Sequence, residues 1–191
     1  MRCLLCESFS FTHICPTCQD SFLKPSIYKR KILNNIEVIS FYKYKNIKDL
    51  LHTKHTDLGY YIYQILAQIA IAKFASGFEF DYPLVSIAID DNIKSGYSHS
   101  AILNKALACR DIKPLFNKLR ATNEISYSGK SREFRMMNPR NFKMKNFKED
   151  NVILVDDIIT TGSTLNQAVE VLRSNKKEVL FCLTLADARL K

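Results

Sequence analysis

The stretch ILVDDIITTGST, Ile153 to Thr164, sets an apolar run ahead of two adjacent carboxylates and then a hydroxyl-rich turn with one glycine. The spacing predicts a short buried strand over Val152–Val155 and a helix over Ser163–Ser174. Ligands of an open parallel sheet bind beyond the carboxyl ends of its strands. Asp156 and Asp157 are therefore expected on that rim. The turn Thr160, Thr161, Gly162, Ser163 and Thr164 can offer backbone N–H groups and hydroxyls to one phosphate, with a helix dipole behind them. Gly162 is expected to let the backbone approach closely. Two carboxylates would repel the phosphate itself but suit sugar hydroxyls. The stretch thus describes a ribose 5-phosphate, its phosphate in the turn and its vicinal hydroxyls on Asp156 and Asp157.

Working outward, strands and helices alternate. Ile36–Tyr42, Leu84–Ile89 and Val179–Leu185 read as further strands. Leu58, Tyr61, Ile62, Ile65, Leu66 and Ile69 recur at helical spacing, which predicts a helix over Asp57–Ala75, capped by Thr56 or Asp57 and ended by Gly77. Ser100–Cys109 reads as another. The alternation predicts an α/β fold, a doubly wound parallel sheet with helices on both faces. Lys24–Lys31 reads as a basic connector, and the Lys-rich run after Tyr42 has no assigned element. Lys113–Glu149 fits poorly, being polar, basic and long for a loop. Within it Gly129–Lys130–Ser131 imitates the end of a P-loop, but Glu124 stands where the leading glycine is needed, so an ATPase is not supported.

Four of the six cysteines, Cys3, Cys6, Cys15 and Cys18, form C-x2-C-x8-C-x2-C. Two such turns can converge on a tetrahedral zinc ion, which would hold a segment too small for a core of its own. His13 is read as a bystander, and Cys109 and Cys182 as core residues. The expected organisation is a zinc module over 1–24 and an α/β domain over 32–191.

The chain of 191 residues is 47% hydrophobic and 25% charged, which argues against wholesale disorder. It carries 28 Lys and Arg against 19 Asp and Glu, a formal +9. From Lys113 to Lys148 the local net is +8, with Phe116, Tyr127, Phe134, Phe142 and Phe147 interleaved; from Lys24 to Lys54 it is +6. Basic grooves with stacking rings suit single-stranded nucleic acid, and Arg132, Arg135, Arg140, Lys143 and Lys145 are the candidate contacts. The alternative is a solvated face whose rings point inward. The N-terminus shows no signal-peptide pattern, and Tyr60–Ala75 is too short and polar to span a bilayer. A cytoplasmic location is expected, with peripheral attachment to a membrane left open.

The strand, paired acids and Thr-Thr-Gly turn closely resemble the phosphoribosyl pyrophosphate (PRPP) signature of type I phosphoribosyltransferases. With the cysteine knuckle ahead, the whole chain resembles the ComF family of competence proteins. Phe41–Tyr44, Ile47–Leu51 and Lys54 resemble that family's first-strand region, Val85–Ala88 its apolar strand, Gly96–His99 its Gly-Phe-Asn-Gln segment, and Arg135–Asn138 with Phe142 its Arg-x-x-Asn and nearby Phe. Ala88 stands where the family often has proline, Lys94–Ser95 where it has an arginine pair, and His99 where it has glutamine. The resemblance implies a type I phosphoribosyltransferase-like fold and a role in natural transformation, in the uptake and cytoplasmic handling of single-stranded DNA at the inner membrane. Two outcomes stay open: PRPP binding without turnover, including PRPP sensing, or transfer of ribose 5-phosphate to a nucleobase-like acceptor. In the second, Asp156 and Asp157 would be catalytic, Mg²⁺ would accompany PRPP, and 113–149 would close as a lid.

Overall fold

A computed structural model describes residues 1–89, 96–123, 137 and 140–190. The strands are β1 (Tyr28–Lys31), β2 (Glu37–Lys43), β3 (Leu84–Ala88), β4 (Ile112–Leu115), β5 (Leu119–Ala121), β6 (Phe142–Met144), β7 (Asn151–Ile159) and β8 (Glu178–Asp187). The helices are α1 (Pro16–Phe22), α2 (Tyr44–His52), α3 (Asp57–Leu66), α4 (Lys73–Ser76), α5 (His99–Lys105) and α6 (Ser163–Ser174). Six strands make one sheet in the order β1-β2-β8-β7-β3-β4, and β5 and β6 form a separate pair. Among the described residues only β1 runs antiparallel to its neighbour in the large sheet; β2, β8, β7, β3 and β4 are mutually parallel, as the alternation of elements predicts.

β7 and β8 lie at the centre because their side chains are apolar on both faces. Successive residues of a strand point to opposite sides. Ile153, Val155, Leu183 and Leu185 join a core with α2, α3 and the N-terminal module, whereas Val152, Leu154 and Cys182 join another with α6 and the β5–β6 pair. Ile153, Leu154 and Val155 are fully buried, and each such side chain contributes about 1.5–3 kcal/mol.

Several elements differ from the sequence reading. The Lys-rich run after Tyr42 is helix α2, anchored by buried Ile47, Leu50 and Leu51 at helical spacing. The connector ends in strand β1. The long helix is interrupted: α3 passes into a π-helical stretch over Ala67–Ala72 before α4. Its Thr56 cap accepts from Gly59 N–H as expected, but its buried face carries Tyr63, while Tyr61 is 49% exposed. The poorly fitting segment contains β4 and the β5–β6 hairpin, whose three-residue strands are too short to show a period. Residues 124–136 of that segment, including the P-loop imitation, lie outside the described residues.

The N-terminal module shares a core with the sheet. Cys3, Ile14, Cys18 and Leu23 belong to the cluster on the α3 side. Tyr42 Oη donates to Leu23 O at 2.7 Å, and the His13 ring lies 4.6 Å from that of Tyr61.

Candidate functional site

β7 continues to Ile159 and does not stop at Val155, because β8 supplies partners as far as Ile159↔Asp187. The expectation that the strand ends on its carboxylates is therefore corrected: both lie within the paired strand, Asp156 opposite Thr184. Alternation then separates them. Asp157 turns to the α3 side and is 6% exposed. Its Oδ2 accepts from Lys54 Nζ at 2.9 Å and Tyr63 Oη at 3.1 Å, and His99 Nε2 lies 3.5 Å away. Asp156 turns to the α6 side and is half-buried, its Oδ1 accepting the Asp157 N–H at 2.8 Å.

The two acids titrate in opposite directions. Burial alone would raise Asp157, but the Lys54 charge, His99, and the Lys54 and Tyr63 hydrogen bonds outweigh it and hold the carboxyl well below its usual range. Burial and the neighbouring Asp157 charge push Asp156 up to about 7, against the pull of Arg140, the Asp157 N–H and Lys54. Burial also raises Tyr63 and lowers His99. Lys54 is raised: desolvation opposes its charge, but Asp157 prevails.

The turn after β7 brings Thr160, Thr161, Gly162, Ser163 and Thr164 to the start of α6, which begins at Ser163 as expected. Gly162 has φ +85°, and a Cβ there would sit 2.8 Å from Ile32 Cγ2. The glycine is thus required by its left-handed backbone and by the nearby Ile32 side chain. Ser163 N–H donates to Thr161 Oγ1 at 3.3 Å, and no acidic residue occupies the first turn of α6. The exit of β7 is held from the sheet edge. Arg30 Nη2 donates to Thr160 O at 2.7 Å, while Arg30 Nε lies 2.8 Å from the buried Asp187 carboxylate.

Sequence reasoning left Tyr63 and Arg30 without a role and noted Lys54 and His99 only through resemblance. Each reaches the site across a long chain separation, and no local spacing marks it. Arg140 was expected on a nucleic-acid face. Its side chain is half-buried within electrostatic reach of Asp156 and Asp157, and its backbone N–H donates to Gln167 Oε1 at 2.9 Å. Lys143 and Lys145 are exposed, and Lys143 is paired in register with exposed Arg120. Arg132 and Arg135 lie outside the described residues.

The sulfurs of Cys3, Cys6, Cys15 and Cys18 all lie within 4.8 Å of one another, with Cys6 and Cys15 at 3.7 Å. A tetrahedron of thiolates about 2.3 Å from zinc has edges of about 3.8 Å, so the donor set fits a structural zinc ion. The Cys15 N–H reaches Cys3 Sγ at 3.3 Å, and this and other backbone donors hold that thiol down to about 6. Cys182 is buried in the sheet core as expected, and Cys109 is partly buried against the cluster on the α3 side.

Residues 118–191 match the model of the phosphoribosyl transferase domain. That segment contains the carboxylate pair and the turn, so the chain includes a phosphoribosyltransferase-like region. No curated protein matches the chain. Among solved structures it is similar to a hypoxanthine phosphoribosyltransferase from Staphylococcus aureus, at 21% identity over 65% of this chain and 62% of that one, with a TM-score of 0.40. The chain therefore spans about three fifths of that protein. It is also similar to the hypoxanthine phosphoribosyltransferase of Trypanosoma cruzi, at 21% identity over 66% of each chain and a TM-score of 0.38. The orotate phosphoribosyltransferase of Aeropyrum pernix matches at 16% identity over 90% of this chain and 80% of that one, with a TM-score of 0.41.

Proposed function

We propose that this chain is a competence protein that binds PRPP at the junction of β7 and α6 and handles single-stranded DNA in the cytoplasm during uptake. The observation supporting the first half is the junction itself. An acid with its carboxylate on the α6 side, a left-handed glycine and the amino end of a twelve-residue helix follow one another within a few residues. The 5-phosphate sits on the Thr160–Thr164 turn, where the first helical N–H groups lack intrahelical acceptors, and the sugar hydroxyls face Asp156. Magnesium arriving with PRPP supplies charge neutralisation for the pyrophosphate. Zinc on Cys3, Cys6, Cys15 and Cys18 is structural.

The DNA half rests on exposed chemistry. Arg120 and Lys143 on the β5–β6 pair and Lys145 just after it are exposed. A groove of about 1020 Å³ between the cysteine module, α3 and α5 is lined by Tyr60, Tyr61, Tyr97 and Phe116, with Gln64 and Gln68 among them. Rings stack on bases and amides meet their edges. Among the described residues no helix is long and apolar enough to cross a membrane. Peripheral attachment belongs to the same reading, with the exposed Phe9, Phe11 and Phe22 rings supporting it.

Calorimetry with PRPP and magnesium tests the binding. Heat of binding in the parent chain that is lost in Asp156→Ala supports the site, whereas no heat in the parent removes it. A second reading is transfer to a nucleobase-like acceptor, supported by a half-buried carboxylate, Asp156, just ahead of the turn. The C1–O bond would break with its electron pair leaving on pyrophosphate, and an acceptor nitrogen would bond C1 and release its proton. Pyrophosphate release on adding a nucleobase, abolished in Asp156→Ala, would select it.

A further inference from the structure

We propose that Arg30 is a positioning residue for phosphate binding: it draws the Thr160 carbonyl to its own side of the turn after β7 and thereby aims the Thr161 N–H at the 5-phosphate. The inference rests on the PRPP reading and deepens it, by naming a residue far from the turn in sequence that prepares it.

A turn that binds an anion must present its N–H groups and withhold its carbonyl oxygens. Strand pairing does not settle this at the end of β7. Ile159 O still accepts from Ala188 N–H at 2.9 Å, but Thr160 lies one residue beyond the last pairing, Ile159↔Asp187. Arg30 Nη2 takes the Thr160 carbonyl instead, at 2.7 Å. The Thr160–Thr161 peptide is trans, so its C=O and the following N–H point in opposite directions. Holding Thr160 O toward β1 therefore turns Thr161 N–H away from β1.

The β1 side of the turn is also filled. Ile32, one residue past the strand, lies so close to Gly162 that no Cβ fits there. A phosphate therefore approaches from the side that Thr161 N–H faces, and Thr161 and Ser163 are only half-buried. Ser163 N–H already donates to Thr161 Oγ1 at 3.3 Å, which makes the Thr161 N–H a donor the phosphate needs.

Arg30 can direct the peptide because it is itself fixed. Its Nε lies 2.8 Å from Oδ2 of buried Asp187, whose Oδ1 accepts the Arg189 N–H at 2.8 Å. Two nitrogens of one planar group thus span a carboxylate and a carbonyl, a geometry that the single ammonium of lysine does not reproduce. Asp187 balances the guanidinium charge, so Arg30 acts on the ligand through the peptide and not by attraction.

The experiment is calorimetry with PRPP and magnesium on the parent chain, Arg30→Lys and the charge-balanced Arg30→Met/Asp187→Asn, with the Thr161 amide signal followed by NMR in isotope-labelled protein. Arg30→Lys keeps a cation beside Asp187, and the double variant leaves no buried charge unmatched. Both should lose about tenfold in PRPP affinity, the effect of one misdirected donor to a charged group. Saturating PRPP should move the Thr161 amide proton downfield in the parent and leave it nearly in place in the variants. A merely loosened fold would disturb amides throughout the sheet and not single out Thr161. PRPP affinity within about twofold of the parent in the double variant, or in Arg30→Lys should the double variant not fold, would overturn the proposal. A weaker affinity with the Thr161 amide still moving as in the parent would overturn it too. If the parent binds no PRPP, the PRPP reading fails and this inference with it, a result distinct from the other two.

Discussion

The cysteine module and the β7–α6–β8 unit are held together by opposite means. The unit is built from two long parallel strands whose side chains are buried on both faces, and its order comes from pairing and packing. The module has one short helix and a single isolated bridge, Arg2↔Phe9, while Phe9 and Phe11 are 77% and 91% exposed. A segment that leaves its rings in water needs a covalent or coordinate tie. The module nonetheless buries Cys3, Ile14, Cys18 and Leu23 in the core that the unit uses. Two modes of cohesion therefore meet in one cluster, and each can be broken separately.

The largest effect is expected from removing the tie. Cys3→Ser/Cys6→Ser, or a strong zinc chelator, should unfold the module and uncover the α3 side of the core, lowering global stability by at least about 3 kcal/mol in a urea titration. A module that melts while the main transition stays in place would show that the shared cluster contributes little. Next comes Gly162→Val, which forces a branched residue into φ +85° and against Ile32. It should cost about 2–3 kcal/mol, and Ile32→Ala should recover only the steric part.

A smaller and opposite effect is expected at the acid pair. Asp156 has a raised folded pKa, so native protein holds a proton that unfolded chain has released between about pH 4 and pH 7. Its contribution to stability thus falls as pH rises through that window. Asp156→Asn should stabilise the protein at pH 8 by about 1–2 kcal/mol. The depressed Asp157 has the other sign: its stabilisation is present above the ordinary carboxylate range and is lost as pH falls below it. Thermal melts at pH 5 and pH 8 would show whether the substitution gains more at the higher pH. The smallest effect belongs to Lys143→Gln/Lys145→Gln, which should leave stability unchanged within about 0.5 kcal/mol. It should also reduce the salt slope of single-stranded DNA binding by about 1–2. A slope that does not change would remove the β5–β6 face from the DNA reading.

What could be read in advance follows the same division. α6 begins and ends where its pattern places it, because one amphipathic face meets one partner surface. β3 and β8 were visible as apolar runs for the same reason. α2 was hidden because Ile47, Leu50 and Leu51 sit among lysines, and three-residue strands such as β5 have no period to detect. The acids themselves were conspicuous, but their placement on opposite faces depended on the strand continuing to Ile159, and that is decided by β8. The Lys54–Tyr63–His99 clamp gathers residues from three elements, so only the assembled fold reveals it.

The grip of Arg30 on Thr160 and Asp187 bears on how the molecule can be divided. A fragment starting at residue 32, chosen to omit the metal-binding part, would also discard this guanidinium. The backbone leaving the central strand would lose its fastening, and a carboxylate in the interior would be left with no counterion from the first strand. Loss of function in such a fragment would therefore be no measure of what the cysteines do. Cutting ahead of Tyr28 separates the two causes.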